Sequence, residues 1–173
     1  MIICFDFRSL YPSMMIGGNL YSPADKKDKH CWNGSGVYPS VYENNYDGIR
    51  GKYLRTRGKV ENVLYEMFQK RLTVKDKPQE SLARKIVLNT CYGLLGNPKF
   101  QSVCHLTAAA DCTAMARRSI HFARTVFEEY GYECVYTDTD SIYVKIKDKQ
   151  LEECKEVVKW IVSKQISSMN IPF

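Results

Sequence analysis

The sequence predicts an α+β fold: a small antiparallel sheet backed by helices, with a helical hairpin between the strand runs, at about residues 40 to 95. Three observations predict it. β-branched and aromatic runs stand near both ends of the chain, Ile2-Ile3-Cys4-Phe5-Asp6-Phe7 and Tyr132 to Lys147, and each carries carboxylates. Two helical segments in the middle are joined by the short turn Asp76-Lys77-Pro78, so they must run back along each other. Further amphipathic helices flank the second strand run.

Taken in order, residues 2 to 7 read as a short buried strand, followed by a turn and a short helix through Tyr11 to Ile16 that Gly17-Gly18 ends. Ser22 to Gly36 is polar and reads as a loop. Ser40 and Glu43 have the spacing of a capping box, which opens a helical region reaching to Leu72, weakened by Gly48, Gly51 and Gly58. Gln79 to Leu95 is a second helix, stopped at Gly96-Asn97-Pro98. Phe100 to Leu106 reads as extended, and Thr107 caps a third helix, rich in Ala and Arg, that ends at Gly131; Asp111 among its alanines has no explanation in the sequence. Tyr132 to Lys147 makes two strands folded about Asp138-Thr139-Asp140, with Ile142, Val144 and Ile146 on one face and Tyr143, Lys145 and Lys147 on the other. Asp148 caps a last amphipathic helix reaching Met169.

With 173 residues, 45% of them hydrophobic, the chain can bury a true core. A net charge of +6 favours an anionic partner, nucleic acid or nucleotide first, without the charge density of a basic tail. The 7 cysteines include no Cys-x-x-Cys pair, which fits an intracellular, reducing compartment, and the spacing of Cys104, His105, Cys112 and His121 matches no common zinc site. No run is long and apolar enough for a membrane span, and no secretory leader is indicated.

An Asp-x-Asp in a hairpin is by itself ordinary turn chemistry. Asp6 on a separate strand changes that reading, because carboxylates brought together from rigid strands repel one another unless divalent metal holds them. Lys85, Asn89 and Tyr92 fall at i, i+4 and i+7 on one helix face about 10 Å long, a length that suits a nucleotide. Gly93 beside Tyr92 permits close backbone approach. Arg55 and Lys59 have i, i+4 spacing on the preceding helix.

These residues carry a family resemblance. Asp6-Phe7-Arg8-Ser9-Leu10-Tyr11-Pro12-Ser13 resembles motif A of the family B DNA polymerases, Lys85-x-x-x-Asn89-x-x-Tyr92-Gly93 their motif B, and Tyr136-Thr137-Asp138-Thr139-Asp140-Ser141 their motif C, in the family's order. Gly36-Val37-Tyr38-Pro39 resembles the approach to the family's fingers, and Arg55-x-x-x-Lys59 its first fingers helix. The resemblance implies a ferredoxin- or RRM-like palm sheet, with palm at 1–35 and 98–173 and fingers at 36–97. It implies two Mg²⁺ ions on Asp6 and Asp140, with Asp138 a lesser ligand, and backbone amides of Ser9 and Leu10 on a triphosphate. Tyr11 would be a steric gate against a ribose 2′-hydroxyl, and Arg55, Lys59 and Lys85 would neutralise the triphosphate, Lys85 also serving as general acid. Asn89 would sit beside the sugar and phosphates, and Tyr92 would monitor the nascent base pair. The implied partners are primer-template DNA, dNTPs and replication accessory factors.

Motif C carries Thr137 where many members have Gly, and motif B carries Thr90-Cys91 where Ser with a bulkier apolar residue is frequent. The resemblance further implies a palm and fingers piece of a longer enzyme, without thumb or editing exonuclease. Two rival readings are a non-catalytic nucleic-acid-binding module and a metal-dependent nuclease; neither has a use for Tyr11 against a sugar.

Overall fold

The computed structural model describes residues 1–24, 41–46, 48–74 and 76–168, with the backbone alone at 41–46, 50, 148 and 168. Gly36-Val37-Tyr38-Pro39 and Ser40 lie outside the described residues. The described elements are β1 (Ile2–Asp6), α1 (Leu10–Gly17), β2 (Val41–Tyr46), β3 (Ile49–Leu54), α2 (Lys59–Thr73), α3 (Pro78–Leu95), α4 (Leu106–Glu129), β4 (Glu133–Asp138), β5 (Ser141–Lys145) and α5 (Leu151–Ser168). A single 3₁₀ turn, Asp148–Gln150, leads into α5.

The predicted α+β class and antiparallel sheet are present: three strands in the order β1-β5-β4, each pair antiparallel. The alternation read from β5 places Ile142, Val144 and Ile146 in the core and leaves Lys145 and Lys147 exposed. β1 is not a fully buried strand. Its side chains point alternately to the two faces of the sheet: Ile3 and Phe5 pack inward while Ile2, Cys4 and Asp6 face out.

Helix α4 backs the sheet, its Phe127 stacking on Phe5 at 5.5 Å and meeting Tyr132 edge-on. α5 packs outside α4 through Phe122 and Trp160, with Gln165 donating to the Ser119 carbonyl at 2.8 Å. The cap of α4 is His105, whose Nδ1 accepts from the Ala108 amide at 3.1 Å, rather than Thr107. Before it, Phe100 to Val103 is not extended but folds into turns, since Val103 and Cys104 amides both donate to the Phe100 carbonyl.

The predicted α2–α3 hairpin is present, and Leu64, Phe68 and Leu88 close with Ile16 of α1 into a second small core. Leu88 is fully buried there, a contribution of about 1.5–3 kcal/mol. Of the helical region expected to reach Leu72, residues 41–46 and 48–58 are not helical. They hold the β2–β3 hairpin, in which Tyr46 pairs with Ile49. Gly48 at φ +78 supplies a left-handed residue between the two strands, a turn signal that outweighs the capping-box spacing.

This hairpin also accounts for Asp111. Tyr53 of β3 donates its hydroxyl to Asp111 Oδ2 at 2.5 Å in a fully buried contact, pinning the hairpin to α4. Gly51 leaves the room: a Cβ there would stand 2.0 Å from the same oxygen. Burial pushes the Asp111 carboxyl above the usual range, opposed by the Tyr53 hydrogen bond and by the electrostatic influence of His105.

Candidate active site

The ladder between β1 and β5 brings the two carboxylate patches together. Asp6 pairs with Ser141, whose hydroxyl donates to Asp6 Oδ2 at 3.2 Å, and the Phe7 amide donates to the Asp140 carbonyl at 2.7 Å. Asp6 and Asp140 therefore line the same cleft, of about 450 Å³. Burial raises the Asp140 pKa first and the negative charge of Asp6 raises it further, while Lys85 opposes the shift. Asp138 pairs with Ser141 from the opposite side, outside the cleft lining, and accepts from the Thr139 hydroxyl at 3.1 Å.

The wall above the carboxylates comes from three helices. Ser9, Leu10 and Tyr11 at the N-terminus of α1 line the cleft, where first-turn amides have no partner within the helix. Ser9 is left-handed at φ 56, and its hydroxyl does not cap the helix. Instead it accepts a hydrogen bond from Arg71 Nη1 near the end of α2. Lys85 and Asn89 of α3 face the same space, as their i, i+4 spacing predicts, and Arg8 joins them. Tyr11 stacks on Tyr92 at 4.5 Å and takes its backbone support from α4, where Cys112 Sγ donates to the Tyr11 carbonyl at 3.6 Å. Tyr92 thus backs the lining without joining it, and Gly93 is exposed with open space where a Cβ would project.

Arg55 and Lys59 are not brought to the cleft. Residue 55 follows β3 outside any helix and Lys59 is the first residue of α2, so the expected i, i+4 face does not exist. Lys59 and Arg71 are separated by twelve residues, about 18 Å of helix. The cation that the helix delivers is Arg71, which Lys70-Arg71 in sequence disguises as ordinary charge at a helix C-terminus. Burial and the facing Arg8 hold the Arg71 pKa below its usual value, Asp6 acts the other way, and its Nε is buried without a hydrogen-bond partner.

Among the described residues no three His, Cys, Asp or Glu side chains stand as a ready metal cluster. The donor set still fits Mg²⁺, which binds through one or two carboxylates completed by water and substrate phosphate oxygens. Two hard oxygen donors that repel each other across a cleft, as Asp6 and Asp140 do, suit that ion. His105 and Cys112 are engaged in packing and capping, and the six described cysteines are all free. No helix among the described residues is long and apolar enough to cross a membrane.

A family model described as DNA polymerase family B matches residues 1–172. The chain is 30% identical over 184 residues to a DNA polymerase of Pyrococcus glycovorans, covering 94% of this chain and 22% of that protein. It is 32% identical over 168 residues to DNA polymerase 1 of Pyrococcus abyssi (strain GE5 / Orsay), covering 90% and 20%. In fold it is similar to the structure of the family B DNA polymerase from the hyperthermophilic archaeon Pyrobaculum calidifontis, with TM-score 0.69 and 21% identity, over 92% of this chain and 22% of that one. The chain spans about a fifth of the length of these relatives.

Proposed function

Because the chain belongs to DNA polymerase family B, we propose that it carries the nucleotidyl-transfer centre of a template-directed DNA polymerase, which joins dNTPs to a primer 3′-hydroxyl. The observation that supports this most is one cleft with Asp6 and Asp140 on its floor and Arg8, Arg71 and Lys85 on its wall. A triphosphate carries the charge to satisfy both. On this reading residues 1–35 and 98–173 form the palm and 36–97 the fingers, the latter containing a β-hairpin as well as two helices.

Asp6 and Asp140 would hold the two Mg²⁺ ions, Asp138 serving as a lesser ligand toward the primer end. The chemistry those ions supply when bound is activation of the primer hydroxyl and neutralisation of charge on the leaving pyrophosphate. The Ser9 and Leu10 amides receive phosphate oxygens at the start of α1. Arg71 exchanges its bond to the Ser9 hydroxyl for a phosphate oxygen, and its unpartnered Nε gains an acceptor. Lys85 donates a proton toward the pyrophosphate, and Asn89 holds the sugar and phosphates. Tyr11, fixed by its stack on Tyr92, stands where a 2′-hydroxyl would project, and Tyr92 senses the nascent pair through that stack. Primer-template DNA and dNTPs are the substrates, with replication accessory factors as further partners.

Tyr11→Ala in the intact protein tests the reading against a nuclease or a passive binding module. Primer extension with matched dNTP and NTP should show discrimination against the ribonucleotide falling by about 10- to 100-fold. Unchanged sugar discrimination would remove Tyr11 from the sugar site, and absence of Mg²⁺-dependent extension by the wild type would remove the polymerase reading.

A further inference from the structure

Residues 19–24, the strap that follows α1, bond to both α2 and α3, the helices that carry Arg71 and Lys85. Asn19 is fully buried and left-handed at φ 50. Its Nδ2 donates to the Leu54 carbonyl at 2.8 Å and to the Thr56 carbonyl at 2.9 Å, while its Oδ1 accepts from the Gly58 amide at 3.0 Å. All three side-chain bonds go to the end of β3 and the segment that connects it to α2. Glu61, in the first turn of α2, is also fully buried and reaches back to the strap: Oε1 accepts from the Tyr21 amide at 2.6 Å and Oε2 from the Ser22 hydroxyl at 3.2 Å. Tyr21 then donates its hydroxyl to the Cys91 carbonyl of α3 at 2.5 Å. The strap backbone adds Ala24 to Lys52 and Leu54 to Ser22.

A carboxylate and an amide buried this completely are costly, and burial pushes the Glu61 pKa up against the hydrogen bonds and the Arg57 charge that favour its ionised form. Gly58 is part of the arrangement, since a Cβ there would stand 2.0 Å from Ser22 Oγ and 2.4 Å from Glu61 Oε2. Packing alone would be served better by apolar side chains. What these groups provide is direction: each bond fixes the angle at which a helix leaves the strap.

Resting on the polymerase reading, we propose that the strap, through Asn19, Tyr21 and Glu61, is the pivot that positions the α2–α3 hairpin, so that these three are positioning residues for the triphosphate wall. The lever is long. Arg71 lies ten residues beyond Glu61, about 15 Å along α2, so a tilt of about 5° at the strap moves its guanidinium by about 1.3 Å, a misplacement of the size that costs catalysis heavily. Lys85 hangs from α3 in the same way, six residues before Cys91. None of Asn19, Tyr21 and Glu61 lines the cleft.

Glu61→Gln and Tyr21→Phe, near-isosteric changes that release α2 and α3 separately, test the pivot in the intact protein. Three quantities are measured: hydrogen exchange of amides in α2, α3 and α4; the nucleotide KM and kcat in primer extension; and affinity for primer-template. For Glu61→Gln, α2 exchange should rise about tenfold relative to α4 and nucleotide KM about tenfold, with primer-template affinity within about twofold of wild type. Tyr21→Phe should do the same for α3 at about threefold. Faster α2 exchange with an unchanged nucleotide KM would reduce the strap to a structural tie and overturn the proposal, as would unchanged exchange. A wild type that extends no primer sinks the polymerase reading instead, and the exchange of α2 and α3 still decides whether the strap holds them.

Discussion

The floor and the wall of the cleft are built on opposite principles. On the floor, Asp6 ends β1 and Asp140 stands in the turn before β5, and the bond from the Phe7 amide to the Asp140 carbonyl ties the two segments together through main chain, beside the Ser141 hydroxyl on Asp6. On the wall, Arg71 and Lys85 project from helices whose direction depends on buried side chains many residues away. The contrast teaches that substitutions outside the cleft should scarcely disturb the carboxylates yet can move the cations. A rigid floor suits ligands that must hold fixed ions, and a wall hung on a pivot suits groups that must close over a substrate.

The largest effect expected is on the floor. Asp6→Asn or Asp140→Asn should lower Mg²⁺-dependent primer extension by about a thousandfold, with primer-template affinity in a gel-shift assay within about threefold of wild type. Extension near the wild-type rate by either variant would break the assignment. On the wall, Arg71→Ala should raise the nucleotide KM by about 10- to 100-fold, whereas Lys59→Ala, at the far end of the same helix, should change it by less than about threefold. Equal effects of the two would restore the reading in which Lys59 meets the triphosphate.

The smallest effect is expected where floor and wall join, at Asp111. A carboxyl whose folded pKa is raised stabilises below its unfolded pKa, about 3.9, and loses that contribution as pH rises through the folded value. The Tm of Asp111→Asn, which can still accept from Tyr53, should therefore gain on wild type as pH rises and level off at about 2–4 °C above it. A difference that shrinks with rising pH would show the carboxylate to be stabilising.

The floor was legible because its signals are local: alternation at Ile142, Val144 and Ile146 identifies the β5 face, and Asp6 closes a five-residue strand. Lys85 and Asn89 were legible for the same reason, since i, i+4 spacing within one helix fixes a shared face. The β2–β3 hairpin was misread because a capping-box spacing and a turn dipeptide competed over a few residues, and the tertiary contact of Tyr53 with Asp111 lies 58 positions away. Arg71 was missed because its meaning lies in what it touches: the same residue over solvent would complement a helix end, and only packing of α2 against α1 places it over Ser9. Arg8 stands between Asp6 and Ser9 without a periodic partner, so spacing assigns it no role in the cleft it lines.

β1 hydrogen-bonds to β5 and to no other described strand of the sheet, so Asp6 reaches Asp140 only when two segments more than 130 residues apart have met. The β4–β5 hairpin and the helices need no such encounter, being assembled from neighbours. Closing so long a loop is slow and comes at an entropic cost that local elements do not bear. During refolding, then, helicity and the Asp138-Thr139-Asp140 turn should return early, and the competent carboxylate pair should be the last thing the molecule regains.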